Sequence, residues 1–232
     1  MPIQTILAIV FFVIYGVVAV INSWANGADN TRIMRITKPL LMPLLFVAYL
    51  FMRRDGVPFY PIFAIALVCG WIGDITLDKP EIGVTFFLLE HVLLSILFIK
   101  SIPETPALPY LLITIFVLLG IGCLFLWKIK SMAGKYFPLI TIYGIVILVM
   151  TGSALLLLTS GVTANRYAIA VGSILFVVSD IILSEQVIES WFNIEPAMAP
   201  PQYKQPNYTS AIVMATYTAA QLLFTLGIGQ ML

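Results

Sequence analysis

The sequence predicts an all-α fold, a polytopic membrane bundle of about eight transmembrane helices built as a single domain over residues 1–232. Three observations carry this reading. The chain is 61% hydrophobic and only 10% charged, against roughly 45–50% and 25% in soluble domains. Its apolar residues gather into long runs, most of them near the roughly 17–25 residues that a helix needs to cross hydrocarbon. The connections are mostly short, and nothing reads as a soluble domain, a low-complexity tract or a linker.

The first run, about 3–22, follows Met1-Pro2-Ile3-Gln4-Thr5 directly. It lacks the positively charged leader of a secretory signal and is expected to be a retained helix. The second, about 39–52, is short and lies between Lys38-Pro39 and Arg53-Arg54. Pro39 suits a first helical turn; either the helix begins earlier or Pro43 bends it. The third run, about 59–77, passes through the turn Asp78-Lys79-Pro80-Glu81 into the fourth, about 82–99. Pro103, Pro106 and Pro109 punctuate the way to the fifth, about 108–127, which is followed by runs at about 136–159 and 165–184. From Glu185 to Asn207 the chain is polar and holds Pro196, Pro200, Pro201 and Pro206, so an irregular surface loop is expected before the last helix, about 208–230.

A net charge of +1 gives no basic field and argues against nucleic acid as a partner. Cys69 and Cys123 sit inside apolar runs, without disulfide or metal-site spacing, and read as small core residues. There is no His-Glu-x-x-His helix, no Gly-x-Ser-x-Gly turn and no phosphate-binding Gly-rich loop. No metal and no cofactor are therefore expected. Eight spans put both termini on one side. Arg32, Arg35, Lys38, Lys79, Lys128, Lys130, Lys135 and Lys204 fall on the opposite side, with Arg53, Arg54, Lys100 and Arg166 on the terminal side. The positive-inside rule then turns the first group to the cytoplasm.

The candidate chemistry lies in two echoing stretches. Gly70-Trp71-Ile72-Gly73-Asp74-Ile75-Thr76-Leu77 and Phe176-Val177-Val178-Ser179-Asp180-Ile181-Ile182-Leu183 each place an acid after a small residue near the end of an apolar run. Ionisable groups are expensive in a membrane interior and are functional candidates there. The third and seventh helices run the same way, so Asp74 and Asp180 reach the same side. Lys38 opens the second helix from that side. The fourth helix enters there too, with Glu90 and His91 roughly 13 Å deep at 1.5 Å per residue. The eighth brings Tyr217 and Gln221 on one face. A polar pocket opening to that face, the cytoplasmic one by the charge bias, is the expected outcome.

Each of these residues also has an ordinary structural role open to it. An acid near a helix end can reach interfacial water. His91, the single histidine, can be a satisfied core group. Lys38 can snorkel, Tyr217 can pack, and Gln221 can bond a neighbouring helix. Glu90 and His91, adjacent on a helix, point about 100° apart and do not face one small site together. Trp24, Trp71, Trp127 and Trp191 lie near span ends, where an aromatic belt is expected.

At these residues the sequence resembles the YhhN family of eight-helix membrane proteins, which includes the lysoplasmalogenases. The matching pieces are Lys38-Pro39-Leu40, Gly73-Asp74-Ile75-Thr76-Leu77, Phe87-Leu88-Leu89-Glu90-His91, Gly172 through Phe176 to Ser179-Asp180-Ile181-Ile182-Leu183, and Tyr217-Thr218-Ala219-Ala220-Gln221-Leu222-Leu223. They occur in order along nearly the whole chain. The chain departs from the family at Glu90, where a small residue is usual, and at Leu94, where Tyr is usual. The resemblance implies a lysophospholipid substrate drawn from the bilayer, a lysoplasmalogen, whose vinyl ether bond is hydrolysed to a fatty aldehyde and a glycerophospho-alcohol. Asp74 and Asp180 would be the catalytic pair, one protonated and one ionised, by chemical analogy with glycoside hydrolysis. Lys38 would hold the lipid phosphate, and His91, Tyr217 and Gln221 would orient water or headgroup.

Two other classes use similar parts. An intramembrane aspartyl protease also pairs helix-borne acids, but here the first motif lacks a Gly two positions before Asp74, and Ser179 rather than Tyr precedes Asp180. A proton-coupled transporter or lipid carrier uses buried acids and histidine as relays. The matched third and seventh helices hint at the parallel repeat of some transporters. The one-sided clustering of polar groups favours a closed enzyme pocket instead.

Overall fold

The computed structural model describes residues 2–52, 60–77, 79–102, 106–130, 134, 137–191 and 207–230. Eight α-helices fill them: α1 (Ile3–Gly27), α2 (Thr31–Phe51), α3 (Tyr60–Thr76), α4 (Pro80–Lys100), α5 (Leu108–Ile129), α6 (Phe137–Leu156), α7 (Ala164–Trp191) and α8 (Tyr208–Gln230). A 3-10 turn, Leu157–Ser160, extends α6. Among the described residues there is no strand. Seven of these helices are long and apolar enough to cross a membrane, and α3 is a shorter apolar helix of 17 residues. The chain is a multi-pass membrane protein. Large apolar side chains such as Phe116, Leu124 and Val20 cover the outside of the bundle, as a hydrocarbon solvent requires.

The helices form a closed ring. Helix α1 packs on α2, α2 on α3, α3 on α4, α4 on α6, α6 on α7, α7 on α8, and α8 back on α1. Helix α5 is left out of the ring and packs chiefly against α6. None of its spanning window is buried, so its side chains face outward on almost every side. Aromatic and aliphatic residues fill the ring's interior, with Tyr15, Leu45, Phe63, Phe98, Phe176 and Phe224 fully covered. Two small-residue steps bring neighbours close. A Cβ on Gly73 would lie 3.1 Å from the Phe87 ring, and one on Gly70 would lie 2.7 Å from the Glu90 carboxylate. The Gly70-x-x-Gly73 spacing is therefore the surface on which α4 packs against α3. Gly172 and Gly227 perform the same service between α7 and α8, where a Cβ would meet Phe224 and Ile169 respectively.

The structure bears out the earlier start left open for the second helix, and it corrects two expectations, Pro39 in the first turn and a loop from Glu185. Helix α2 begins at Thr31, eight residues before Pro39, capped by the Asn30 side chain, which accepts from Ile33 N at 3.2 Å. Pro39 and Pro43 both lie inside the helix rather than at its start. The charged side chains of Arg32 and Arg35 lower the hydropathy of this first part. They are exposed, so the helix carries them without burying charge. At the other boundary, α7 continues to Trp191, seven residues into the stretch expected to be a loop. The polar residues from Glu185 onward contain no Pro before Pro196, so nothing in them ends a helix. The rest of that stretch, 192–206, lies outside the described residues.

Candidate active site

The pocket is built from residues of six helices. Asn26 comes from the last turn of α1, Lys38 from the first half of α2, Asp74 from the end of α3, Phe87 from the start of α4, Ser179 and Asp180 from α7, and Tyr217 from α8. Together they line one cavity of about 120 Å³. The two echoing acid stretches, carried by α3 and α7, which run in the same direction, thus meet on one cavity.

Asp74 is 5% exposed and is held from two sides. The Tyr217 hydroxyl donates to its Oδ2 at 2.8 Å, and Lys38 Nζ stands 3.9 Å from its Oδ1. Lys38 retains 23% side-chain exposure, against 3% for Asp74, so the cation of the pair is the more accessible partner. A buried carboxylate is retained only with such partners. Asp180 has a different neighbour: its Oδ2 accepts from the Tyr143 hydroxyl of α6. Beside it the Ser179 hydroxyl donates to Val213 O at 3.0 Å and fixes α7 to α8 at the level of the acid.

The α1–α2 side is fixed by a chain of amides and hydroxyls. Asn26 Nδ2 donates to Asn22 Oδ1 at 3.1 Å, Asn22 Nδ2 donates to Thr37 Oγ1 at 2.7 Å, and Thr37 donates in turn to Ile33 O at 2.8 Å. Thr37 immediately precedes Lys38. On the other flank Pro43 has no N–H to give to the carbonyl of Pro39, four residues earlier. That carbonyl accepts from Trp71 Nε1 of α3 at 2.9 Å instead. The residue after Lys38 is therefore tied to the residue three before Asp74, and the backbones carrying the ion pair are clamped together.

His91 and Gln221 do not line this cavity. They lie in a layer beneath it with Glu90, all three fully buried. Gln221 Nε2 donates to Glu90 Oε1 at 2.7 Å, joining α8 to α4. His91 Nδ1 lies 2.5 Å from Phe87 O, an acceptor, so the proton sits on Nδ1. Its ring meets Phe176 edge to face at 4.5 Å, and Phe176 meets Tyr217 at 5.5 Å. His91 thus supports the wall behind Asp74 and Tyr217 rather than touching the cavity. Glu90 and His91 turn to different neighbours, as their adjacency on a helix demands.

Sequence reasoning gathered Asp74, Asp180, Lys38 and Tyr217 at one place, and the structure puts all four on one cavity. It missed Tyr143, Asn26 and the role of Trp71. Tyr143 stands alone in an apolar run, where a tyrosine most often packs. Trp71, near a span end, reads as a belt residue. The missing Pro43 N–H was its one available signal, since an orphaned carbonyl inside a membrane helix needs a donor from elsewhere.

Comparison with curated proteins and with solved structures returns no significant match. The YhhN family model matches residues 33–228, from the first turn of α2 almost to the end of α8, and so includes every pocket residue except Asn26. The chain belongs to the YhhN family.

Proposed function

We propose that the protein is a membrane hydrolase that cleaves the vinyl ether bond of lysoplasmalogen, releasing a fatty aldehyde and glycerophosphoethanolamine or glycerophosphocholine. Membership of a family associated with hydrolase activity supports this reading. The observation that carries it is one cavity lined by two carboxyl groups with different partners, Asp74 beside a cation and Asp180 beside a phenol.

The reaction needs a proton delivered to carbon and a base for water. The acid protonates the outer vinyl carbon, whose bond is formed by the C=C π pair. The remaining cation is shared between the inner carbon and the ether oxygen. Water adds to the inner carbon and gives its proton to the second carboxylate, forming a hemiacetal. The hemiacetal hydroxyl then returns a proton to the first carboxylate, while the second protonates the departing glycerol oxygen. The C–O bond breaks and both acids are restored. Such assistance contributes about 10²–10⁴-fold per group. Asp74, opposite the Lys38 ammonium, is the ionised member, and Lys38 also meets the lipid phosphate at the pocket mouth. Tyr217 fixes the Asp74 carboxylate.

The test is aldehyde release by purified protein from lysoplasmenylethanolamine, with the saturated 1-alkyl analogue as control. Release from the first alone is expected. Cleavage of neither by folded protein would overturn the reading in favour of transport, and cleavage of a peptide would favour the protease.

A further inference from the structure

A second cleft adjoins the pocket. It lies between α5, α6 and α7, measures about 80 Å³ and is lined almost wholly by apolar groups, among them Phe125, Leu148 and Val177. It runs along α6 from Ile140 to Leu148, about 12 Å at 1.5 Å per residue. It opens on the outer surface of the bundle, where Ile121 and Ile145 are exposed. Among the described residues, Asp180 is the one that lines both this cleft and the polar pocket. Helix α5, otherwise outside the ring, forms its outer wall.

We infer that the cleft between α5, α6 and α7 binds the single hydrocarbon chain of the substrate, while the polar pocket holds its glycerophosphate end, so that Asp180 is the acid that protonates the outer vinyl carbon. This rests on the proposed reaction. A lysoplasmalogen changes from polar to apolar at its vinyl ether bond, and the two clefts change from polar to apolar at Asp180. The carbon to be protonated lies on the chain side of that bond, and the carbon that water attacks lies on the headgroup side. Asp180 meets the first and Asp74, with Lys38, the second. Pulling the chain sideways between α5 and α6 lets a lipid enter from the bilayer without leaving hydrocarbon, and α5 lies outside the ring where such an entry requires it. Gly144 lines the cleft, and a Cβ built on it would meet no atom within 4 Å, so a side chain added there takes up cleft space.

The experiment has two arms. In the first, a 1-alkyl lysophosphoethanolamine carrying a diazirine at the chain end, which is not cleaved, is photolysed with the intact protein in bilayer discs. Label is expected on the α5 or α6 segments that line the cleft, removed by excess lysoplasmenylethanolamine and not by diacyl phosphatidylethanolamine. Label on α1 or α8, or equal competition by the diacyl lipid, would overturn the assignment. In the second arm, Gly144→Leu is expected to lower kcat/KM for an 18-carbon chain relative to a 3-carbon chain, too short to pass Gly144, by tenfold or more, whereas Gly16→Leu, which also has open space around it, leaves the ratio unaltered. An unchanged ratio in folded Gly144→Leu would also overturn it. If wild-type protein releases no aldehyde yet takes the label in the cleft, the reaction fails and the chain site stands.

Discussion

The hydrogen bond from Trp71 to the Pro39 carbonyl exists because Pro43 lacks an N–H, and that dependence can be measured. Trp71→Phe removes the donor and keeps an aromatic ring. Interhelical hydrogen bonds in membrane proteins contribute about 0.6 kcal/mol on average and at most about 1.7. Trp71 is 36% exposed, which places this one in the lower half of that range. About 0.6–1 kcal/mol corresponds to a three- to fivefold change in the unfolding equilibrium. Lost indole packing adds to the raw effect, so the bond is best isolated by a double-mutant cycle with Pro43→Ala. Alanine at 43 supplies the missing N–H within α2, and Trp71→Phe should then cost only its packing part. The assay is reversible denaturant unfolding in mixed micelles for the four proteins. A coupling energy of about 0.6–1 kcal/mol is expected. Equal costs of Trp71→Phe in the two backgrounds, within about 0.3 kcal/mol, would refute the clamp.

Three further changes probe the site and its supports. Lys38→Ala should raise KM for lysoplasmenylethanolamine by more than it lowers kcat, measured by steady-state aldehyde release, because the proposed mechanism sets the lysine against the phosphate rather than the reacting carbons. Tyr143→Phe deletes the hydroxyl that Asp180 accepts from; kcat should fall roughly tenfold, the equivalent of about 1.4 kcal/mol, with the fold retained by circular dichroism. Gly70→Ala places a methyl group 2.7 Å from the Glu90 carboxylate. It should destabilise the protein by about 1–3 kcal/mol in the same unfolding assay, and Glu90→Ala should relieve most of that.

Hydropathy made the eight helices legible, and the direction of alternate helices made the meeting of Asp74 with Asp180 legible. What hydropathy does not encode is which helices touch. Nothing in the apolar run of α5 distinguishes it from its neighbours, yet it alone stands outside the ring. The same blindness hid Tyr143, whose polar partner lies 37 positions away. Depth was equally hard to read. His91 and Gln221 sit on the correct helices and face inward, but one turn decides whether a side chain lines a cavity or braces its wall. The early start of α2 was masked by arginines, which lower hydropathy without ending a helix. Trp71 shows how a local rule becomes a tertiary one, since a proline in α2 creates the acceptor that a tryptophan in α3 fills.

The central claim is that two carboxyl groups on one cavity divide the hydrolysis of a vinyl ether. Its most direct test is aldehyde release from lysoplasmenylethanolamine by purified wild-type protein, Asp74→Asn and Asp180→Asn, each shown to be folded by circular dichroism. Turnover by the wild type and its loss in both variants is the expected result. Wild-type rates in either folded variant would contradict the account.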